Sequence, residues 1–343
     1  MSDLIIGLDT FGDVPVDDAG APVSHAAAIR QVVDEAVLAD ELGVDVIALG
    51  EHHRPDYSIS TPETVLAGIA ARTSRIRLAS GVTVLSSDDP VRVFQRFATV
   101  DAISNGRAQV ILGRGSFTES FPLFGYDLGD YDVLFEEKLD LFAKLLDEKP
   151  VTWSGTTRAA LHEADVFPKT ESGRLDTWVG VGGSPQSAVR TARYGLPMML
   201  AVIGGAPERF TPFVEIYRRA AEQFGTPAHP IGLHSPGFVA DTDEEARELF
   251  YPAYEVLRNR IGRQRGWPPL RRAEFESELA GGSLYVGSPE TVARKIARSV
   301  TALDVGRFDM VYTAGAQSTG ARTRAVELFG SKVAPMVRDI LSD

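Results

Sequence analysis

Residues 76–116 read IRLASGVTVLSSDDPVRVFQRFATVDAISNGRAQVILGRGS, and this stretch indicates how the rest of the chain folds. Residues 76–85 are mostly small or β-branched and lack strict polar alternation, which is typical of a parallel strand covered on both faces. Asp89 and Pro90 form a helix start, because the Asp side chain can accept an unpaired N–H and Pro loses no hydrogen bond there. After that helix, residues 108–112 are mainly apolar. The stretch predicts a strand, a helix and a second, parallel strand.

A single charged residue, Arg114, follows the second of these strands between Gly113 and Gly115. Ligands bind at the carboxyl ends of parallel strands in both barrels and open sheets. The sequence therefore predicts that Arg114 binds an anion, with an ordinary surface salt bridge as the alternative.

Composition limits the possible functions. The chain has 343 residues, of which 44% are hydrophobic and 24% charged, as in a soluble globular enzyme. The net charge of −12 argues against nucleic acid or an anionic membrane surface as the main partner. The absence of cysteine excludes disulfides, thiolate metal sites and cysteine nucleophiles. With no leader and no membrane-spanning run, we expect a cytoplasmic protein.

Strand-like and helix-like patterns alternate along the chain, which indicates a single (β/α)8 TIM-barrel domain over residues 1–343. The alternative is a doubly wound open sheet, but this fold predicts a Gly-rich turn after the first strand, and Leu8 is followed by Asp9, Thr10 and Phe11. Irregular insertions are expected at about 149–176 and 262–283. The predicted strands are 4–8, 44–49, 76–85, 108–112, 178–182, 197–203, 231–240 and 308–312.

A second candidate anion site follows the fifth predicted strand. Gly182 and Gly183 would let a phosphate approach the backbone, and Ser184 opens a helix whose free N–H groups point towards it. Combined with the guanidinium of Arg114, this motif predicts a phosphate clamp. An ordinary capped helix is the alternative.

The histidine pair after the second strand, His52 and His53, offers acid–base chemistry. A metal site is not expected, because adjacent strand residues point to opposite sides and no suitably spaced third histidine is present. We expect one of the two to donate or accept a proton, with a structural histidine as the alternative.

These motifs resemble the bacterial luciferase-like flavin-dependent monooxygenase family along almost the whole chain. The family's acidic residue and His pair match Glu51, His52 and His53, and its Asp-x-x-Ser-x-Gly-Arg motif matches residues 101–107. The family's Arg-Gly matches Arg114 with Gly115.

The resemblance implies specific contacts with a flavin. It assigns Arg114 and Ser184 to the flavin phosphate, and it places a cis peptide between Gly81 and Val82 beneath the flavin ring. His52 becomes the catalytic residue. Light emission is not expected, because Gly113 replaces the cysteine that lines the luciferase site.

The resemblance further implies an FMN-dependent monooxygenase that takes reduced FMN from a separate reductase and acts with O2 on a small organic substrate. A deazaflavin-dependent reductase of the same fold and a non-catalytic flavin-binding relative are the alternatives. A homodimer is implied, with residues 61–74 and 90–104 at its face. From the residues themselves we expect a mobile lid at 258–283. The apolar pocket walls are expected to be Phe11, Tyr57, Phe117 and Phe121.

Overall fold

Eight parallel strands close into a barrel in the computed structural model, which describes residues 4–115, 117–227 and 229–342. Each strand pairs with the next along the chain, and the eighth pairs with the first. The predicted (β/α)8 barrel is confirmed and the open sheet is wrong. Ser116, the last residue of the stretch that predicted the fold, lies outside the described residues. The barrel strands are β1 Ile5–Thr10, β2 Val46–Leu49, β3 Arg77–Ser80, β4 Ala108–Gly113, β5 Asp176–Val181, β6 Met198–Ala201, β7 Ile231–Val239 and β8 Arg307–Val311.

Helices surround the barrel and follow most of its strands. Across the described ranges, no helix combines the length and the apolar character needed to cross a bilayer. The helices are α1 His25–Glu41, α2 Pro62–Ala70, α3 Pro90–Ser104, α4 Ser120–Phe124, α5 Tyr131–Leu145, α6 Pro185–Arg193, α7 Thr211–Phe224, α8 Asp243–Arg265, α9 Arg272–Gly281, α10 Pro289–Leu303, α11 Thr319–Leu328 and α12 Ala334–Ser342.

Two of the helix starts that the sequence indicated are capped as expected. The Asp89 carboxylate accepts the backbone N–H groups of Val91 and Arg92 at the start of α3. The Ser184 hydroxyl accepts the N–H of Ser187 at the start of α6. These caps satisfy donors that the first helical turn leaves unpaired, and they fix where each helix begins after its strand.

The third strand is shorter than predicted. It ends at Ser80, and a separate short strand, Thr83–Val84, pairs with the end of β4. Between these two segments the Gly81–Val82 peptide bond is cis. The apolar run therefore contains two strand segments, joined where the chain reaches the mouth of the barrel.

The two predicted insertions differ from each other. Residues 149–176 contain an antiparallel hairpin of Val151–Trp153 with Leu161–Ala164, as the sequence indicated. The expectation of irregular structure at 262–283 is wrong, because α8 extends to Arg265 and α9 follows. Phe275 of α9 is fully buried against rings of α8, and this tertiary packing stabilises a helix that has almost no amphipathic signal of its own.

The barrel interior contains a buried ion pair. Arg307 and Asp309, neighbours on one face of β8, are 0% and 1% exposed. The Arg307 guanidinium donates to both Asp309 oxygens, with Nη2–Oδ2 at 2.6 Å and Nε–Oδ1 at 3.0 Å, and Nη1 donates to Gln109 Oε1 at 3.2 Å. It also lies 5.0 Å from the centre of the Trp178 ring. Three strands, β4, β5 and β8, are thus joined through one guanidinium.

We predict that Arg307→Met lowers the free energy of unfolding by about 3–5 kcal/mol, because the Asp309 carboxylate is left buried without its partner. Arg307→Met combined with Asp309→Asn should lose less, because no unpaired charge remains inside the barrel. Urea unfolding measures both. Arg72→Met, which breaks an exposed pair with Asp34, is the control and should cost at most about 1 kcal/mol. Equal losses for Arg307→Met and the control would contradict this account.

Candidate active site

The carboxyl ends of β1, β2 and β3 and the middle of β7 meet at one mouth of the barrel and bring polar groups together there. Phe11 follows β1, and its ring lies 5.4 Å from the ring of His52 and 6.3 Å from that of His234. The Asp9 carboxylate packs against the α-carbon of Gly81 so closely that a β-carbon there would lie 2.8 Å from Asp9 Oδ2. Residues far apart in sequence therefore share one small volume.

His52 lies in an aromatic chamber formed by the rings of Phe11, Tyr57 and Phe117. The Tyr57 and Phe117 ring centres are 4.3 Å and 5.1 Å from the imidazole. Its Nε2 is buried and makes no hydrogen bond. Burial, with smaller contributions from the charges of His53 and Arg54, lowers the pKa of His52 to about 3. The pKa of His52 therefore lies below that of an ordinary imidazole, and His52 is neutral at physiological pH.

Glu51 interacts with the second histidine of the pair, His53. Its Oε1 lies 3.0 Å from His53 Nε2, and its Oε2 accepts the backbone N–H of Val84 at 2.8 Å. The carboxylate thus connects the end of β2 to the short strand after β3. Of the adjacent histidines, His53 is held in place by a carboxylate and His52 by aromatic packing.

Arg114 reaches the first turn of α6, as a phosphate clamp requires. Its Nη2 donates to Ser187 Oγ at 3.4 Å, and its Nη1 donates to the exposed carboxylate of Asp132 at 3.1 Å. A β-carbon at Gly182 or Gly183 would meet no atom within 4 Å, so the backbone there borders open space. A guanidinium, a helix N-terminus and an open glycine backbone converge, which fits a phosphate group. An incoming phosphate would compete with Asp132 for Arg114.

The side chain of Val82 explains why glycine occupies position 113. A β-carbon at Gly113 would lie 2.5 Å from Val82 Cγ2, and one at Gly180 would lie 3.0 Å from Val82 Cγ1. Val82 packs with Ile111, Trp178 and Met199 as the apolar layer below the mouth. Position 113 is therefore glycine, and not the cysteine of the luciferases, because the Val82 side chain leaves no room for a β-carbon there.

A buried acid and histidine at the mouth were missed by the sequence reasoning. His234 Nδ1 lies 2.9 Å from Asp9 Oδ2, Asp9 is 1% exposed, and its Oδ1 makes no hydrogen bond. Burial raises the pKa of Asp9 to about 6, although the hydrogen bond and charge of His234 oppose the rise. The signal was present in the sequence as an acid directly after the first predicted strand and a histidine inside the seventh.

Part of α8 covers the aromatic chamber. Arg260 Nη2 lies 2.5 Å from Asp56 Oδ2, and Arg54 Nε lies 3.3 Å from the other oxygen of Asp56. The Arg54 guanidinium lies 4.8 Å from the centre of the Phe117 ring. The segment predicted as a lid therefore contacts the chamber near its start, through the ion pair of Arg260 with Asp56. Phe121, the fourth predicted wall residue, instead stacks on Tyr131.

Among the residues that the structure describes, no group of three or more His, Cys, Asp or Glu side chains could hold an ion.

We predict that His52 makes the fold sensitive to acid. The pKa of His52 is about 6.5 in the unfolded chain and about 3 in the folded protein. Its contribution to the free energy of unfolding is therefore complete above about pH 6.5 and is lost as the pH falls towards about 3. His52→Gln should remove this sensitivity, which is worth at most about 2 kcal/mol at about pH 5. Thermal unfolding of both proteins at about pH 7.5 and about pH 5 measures the effect, because these two values lie above and below the pKa of an unfolded histidine. The same acid-induced fall in melting temperature for both proteins would show that His52 is not the cause.

Comparison with known proteins places this geometry in a family. A family model described as luciferase-like monooxygenase matches residues 11–305. Limonene 1,2-monooxygenase of Rhodococcus erythropolis is 27% identical over 347 residues, covering 95% of this chain and 87% of the enzyme. The crystal structure of monooxygenase RslO1 from Streptomyces bottropensis is 25% identical, with a TM-score of 0.82 over 96% of this chain and 98% of that one.

Two further structures share the fold at lower identity. The oxygenating constituent of 3,6-diketocamphane monooxygenase from Pseudomonas putida, solved in complex with FMN, is 20% identical with a TM-score of 0.77, and the match covers 97% of this chain and 98% of that one. The coenzyme F420 dependent tetrahydromethanopterin reductase of Methanopyrus kandleri is 18% identical with a TM-score of 0.73, covering 97% and 99%. The chain therefore belongs to the luciferase-like monooxygenase family of oxidoreductases.

Proposed function

We propose that this protein is an FMN-dependent monooxygenase that oxidises a small organic substrate with O2. The observation that carries the proposal is the approach of Arg114 to the first turn of α6, beside open glycine backbone. This arrangement supports a phosphate site formed by Arg114, Gly182, Gly183 and Ser184. The FMN complex of the camphane enzyme, which has the same fold, supports FMN as the group bound there.

The flavin ring would lie over Gly81 and Val82, next to the aromatic chamber. The flavin would supply the oxygen chemistry, and the chain's residues would bind it, exclude water and position a neutral imidazole for hydrogen bonding. Phe11, Tyr57 and Phe117 keep the site apolar, which suits an apolar portion of the substrate. His52, neutral and without a polar partner at Nε2, is free to hydrogen-bond with the reacting groups.

A deazaflavin-dependent reductase is the second candidate, and the fold match with the Methanopyrus enzyme supports it. The absorption spectrum of the purified protein, together with oxygen uptake in the presence of free reduced FMN or reduced deazaflavin, distinguishes the two. Binding of either without turnover of any substrate would favour the non-catalytic flavin-binding relative. The separate reductase, the homodimer and the cytoplasmic location that the sequence suggested remain part of this proposal, and light scattering tests the dimer.

We predict that Arg114→Ala and Ser184→Ala each weaken FMN binding by about tenfold or more and riboflavin binding much less. A charge-assisted hydrogen bond to phosphate contributes about 1.5–3 kcal/mol to binding. Riboflavin lacks the phosphate and does not form this bond, so its affinity does not depend on it. Fluorescence titration of both ligands measures the effect.

Arg174→Ala is the matched control, because Arg174 is a surface arginine that pairs with Asp147 and precedes the amino end of β5, whereas Arg114 follows the carboxyl end of β4. It should leave both affinities unchanged. If riboflavin loses as much affinity as FMN in the Arg114 and Ser184 variants, the phosphate assignment is wrong.

We predict that His52→Ala still binds FMN but uncouples the reaction, so that reduced flavin is consumed with hydrogen peroxide as the main product. The alanine removes the imidazole and opens space for water inside the chamber. His53→Ala should be milder, because His53 is bonded to Glu51 and lies outside the ring contacts around His52. Peroxide yield per flavin oxidised measures the coupling, and normal coupling in His52→Ala would return His52 to a structural role.

A further inference from the structure

We propose that the buried pair Asp9–His234 takes up a proton when a reduced flavin binds, so that the charge of the reduced ring is not repelled from the barrel mouth. This inference rests on the proposed function and concerns two residues to which that function gives no role. In it, Asp9 and His234 act as positioning residues that set which redox form of the flavin binds more tightly.

The geometry places Asp9 directly beside the expected ring position. Its carboxylate occupies the space where a side chain at Gly81 would project, with both oxygens about equally close to that point, 2.8 Å and 3.0 Å. Oδ2 is bonded to His234, whereas Oδ1 is buried and makes no hydrogen bond. The ionised form of an acid so placed is costly, because neither oxygen is hydrated.

The charges around Asp9 make its protonation state responsive. His234 from β7 and Arg307 from β8 favour the carboxylate, whereas burial and Asp309 from β8 favour the neutral acid. The facing residue after β3 is Gly81, which carries no charge. With these opposing effects, the pKa of Asp9 is about 6 in the free protein, so it is mostly ionised at neutral pH.

A reduced flavin ring that has lost its N1 proton is an anion. The charge of this ring and that of an ionised Asp9 repel each other in a partly buried site, and we expect this to raise the pKa of Asp9 by about one unit, a tenfold change. Binding of the reduced form would therefore increase the protonated fraction of Asp9, and the proton comes from solvent. Oxidised FMN has an uncharged ring and would bind without this uptake.

The test compares wild type with Asp9→Asn, which keeps the shape of the acid and removes its charge. Anaerobic titration with reduced FMN gives the affinity of each protein from about pH 5.5 to pH 8, the range in which the acid titrates. Because the flavin ring also titrates, the quantity compared is the ratio of the two affinities at each pH. We expect a ratio near unity at the acid end and about tenfold tighter binding by Asp9→Asn at the alkaline end.

Two additional readouts do not depend on catalysis. Oxidised FMN should bind both proteins equally at every pH, so the midpoint potential of the bound flavin should be higher in Asp9→Asn at the alkaline end, by about 30 mV for a tenfold change. Calorimetry in buffers of different ionisation enthalpy should show less proton uptake with reduced FMN for Asp9→Asn than for wild type.

Asp13→Asn is the matched control. Asp13 is also a buried acid at the end of β1, but it accepts from Thr313 and Gly315 and does not face Gly81. It should follow the wild-type profile. His234→Gln is the second variant: it removes a partner that lowers the pKa of Asp9, so the fall in affinity should move to higher pH.

A ratio that stays constant from acid to alkaline pH would overturn the proposal, and so would an equal effect of Asp9→Asn on oxidised FMN. A wild-type protein that binds neither redox form of FMN would instead overturn the proposed function. The two failures are therefore distinguishable.

Discussion

The buried pair of Arg307 and Asp309 is the constraint on which the barrel interior depends. A guanidinium and a carboxylate without access to water are tolerated only when each satisfies the other's charge and hydrogen bonds. The pair therefore limits its neighbours: a β-carbon at Gly7 would lie 2.3 Å from Asp309 Oδ1, so glycine is required there. Trp178 stacks on the guanidinium and donates from Nε1 to Asp176 at 3.0 Å. The need to satisfy the charges and hydrogen bonds of this pair determines which side chains can fill the amino end of the barrel.

Above this polar layer the barrel becomes apolar and then, at its mouth, polar again. The apolar layer around Val82 lies below the mouth, and the low dielectric of the barrel interior acts on two ionisable residues there, His52 and Asp9. It keeps the His52 imidazole neutral and holds Asp9 near the middle of its titration in mildly acidic solution. The same physical cause, burial, thus pushes the two groups towards their uncharged forms.

The site is divided into parts with different chemistry. Arg114 and the first turn of α6 present positive charge and N–H groups at one side, where an anion fits. The aromatic chamber around His52 excludes water, and the ion pairs of Asp56 with Arg54 and Arg260 join α8 to its outer face. This division suits a ligand with a charged tail and a flat ring, because each part of the ligand meets a surface of matching polarity.

Several site features followed from the chain itself because they are local. The helix starts at Asp89 and Ser184 depend on residues adjacent in sequence, and the caps formed as expected. The position of Arg114 after β4 followed from the rule that parallel strands end at one edge. The alternation of strand and helix patterns, which is repeated eight times, was sufficient to predict the barrel.

Tertiary structure decided what depends on contacts between distant residues. The hydrogen bond between Asp9 and His234 joins residues 225 positions apart, and no local pattern pairs them. The helix α9 formed where irregular structure was expected, because burial of Phe275 stabilises it. Glu51 forms hydrogen bonds with His53 and with the backbone of Val84. The second of these partners depends on where the chain turns after β3. The sequence by itself determined the order of the elements and the residue types at the strand ends, since these follow from local hydrogen bonding and periodicity. Only the closed barrel decided which of those residues meet and whether they carry charge, because proximity and desolvation arise from packing between segments distant in the chain.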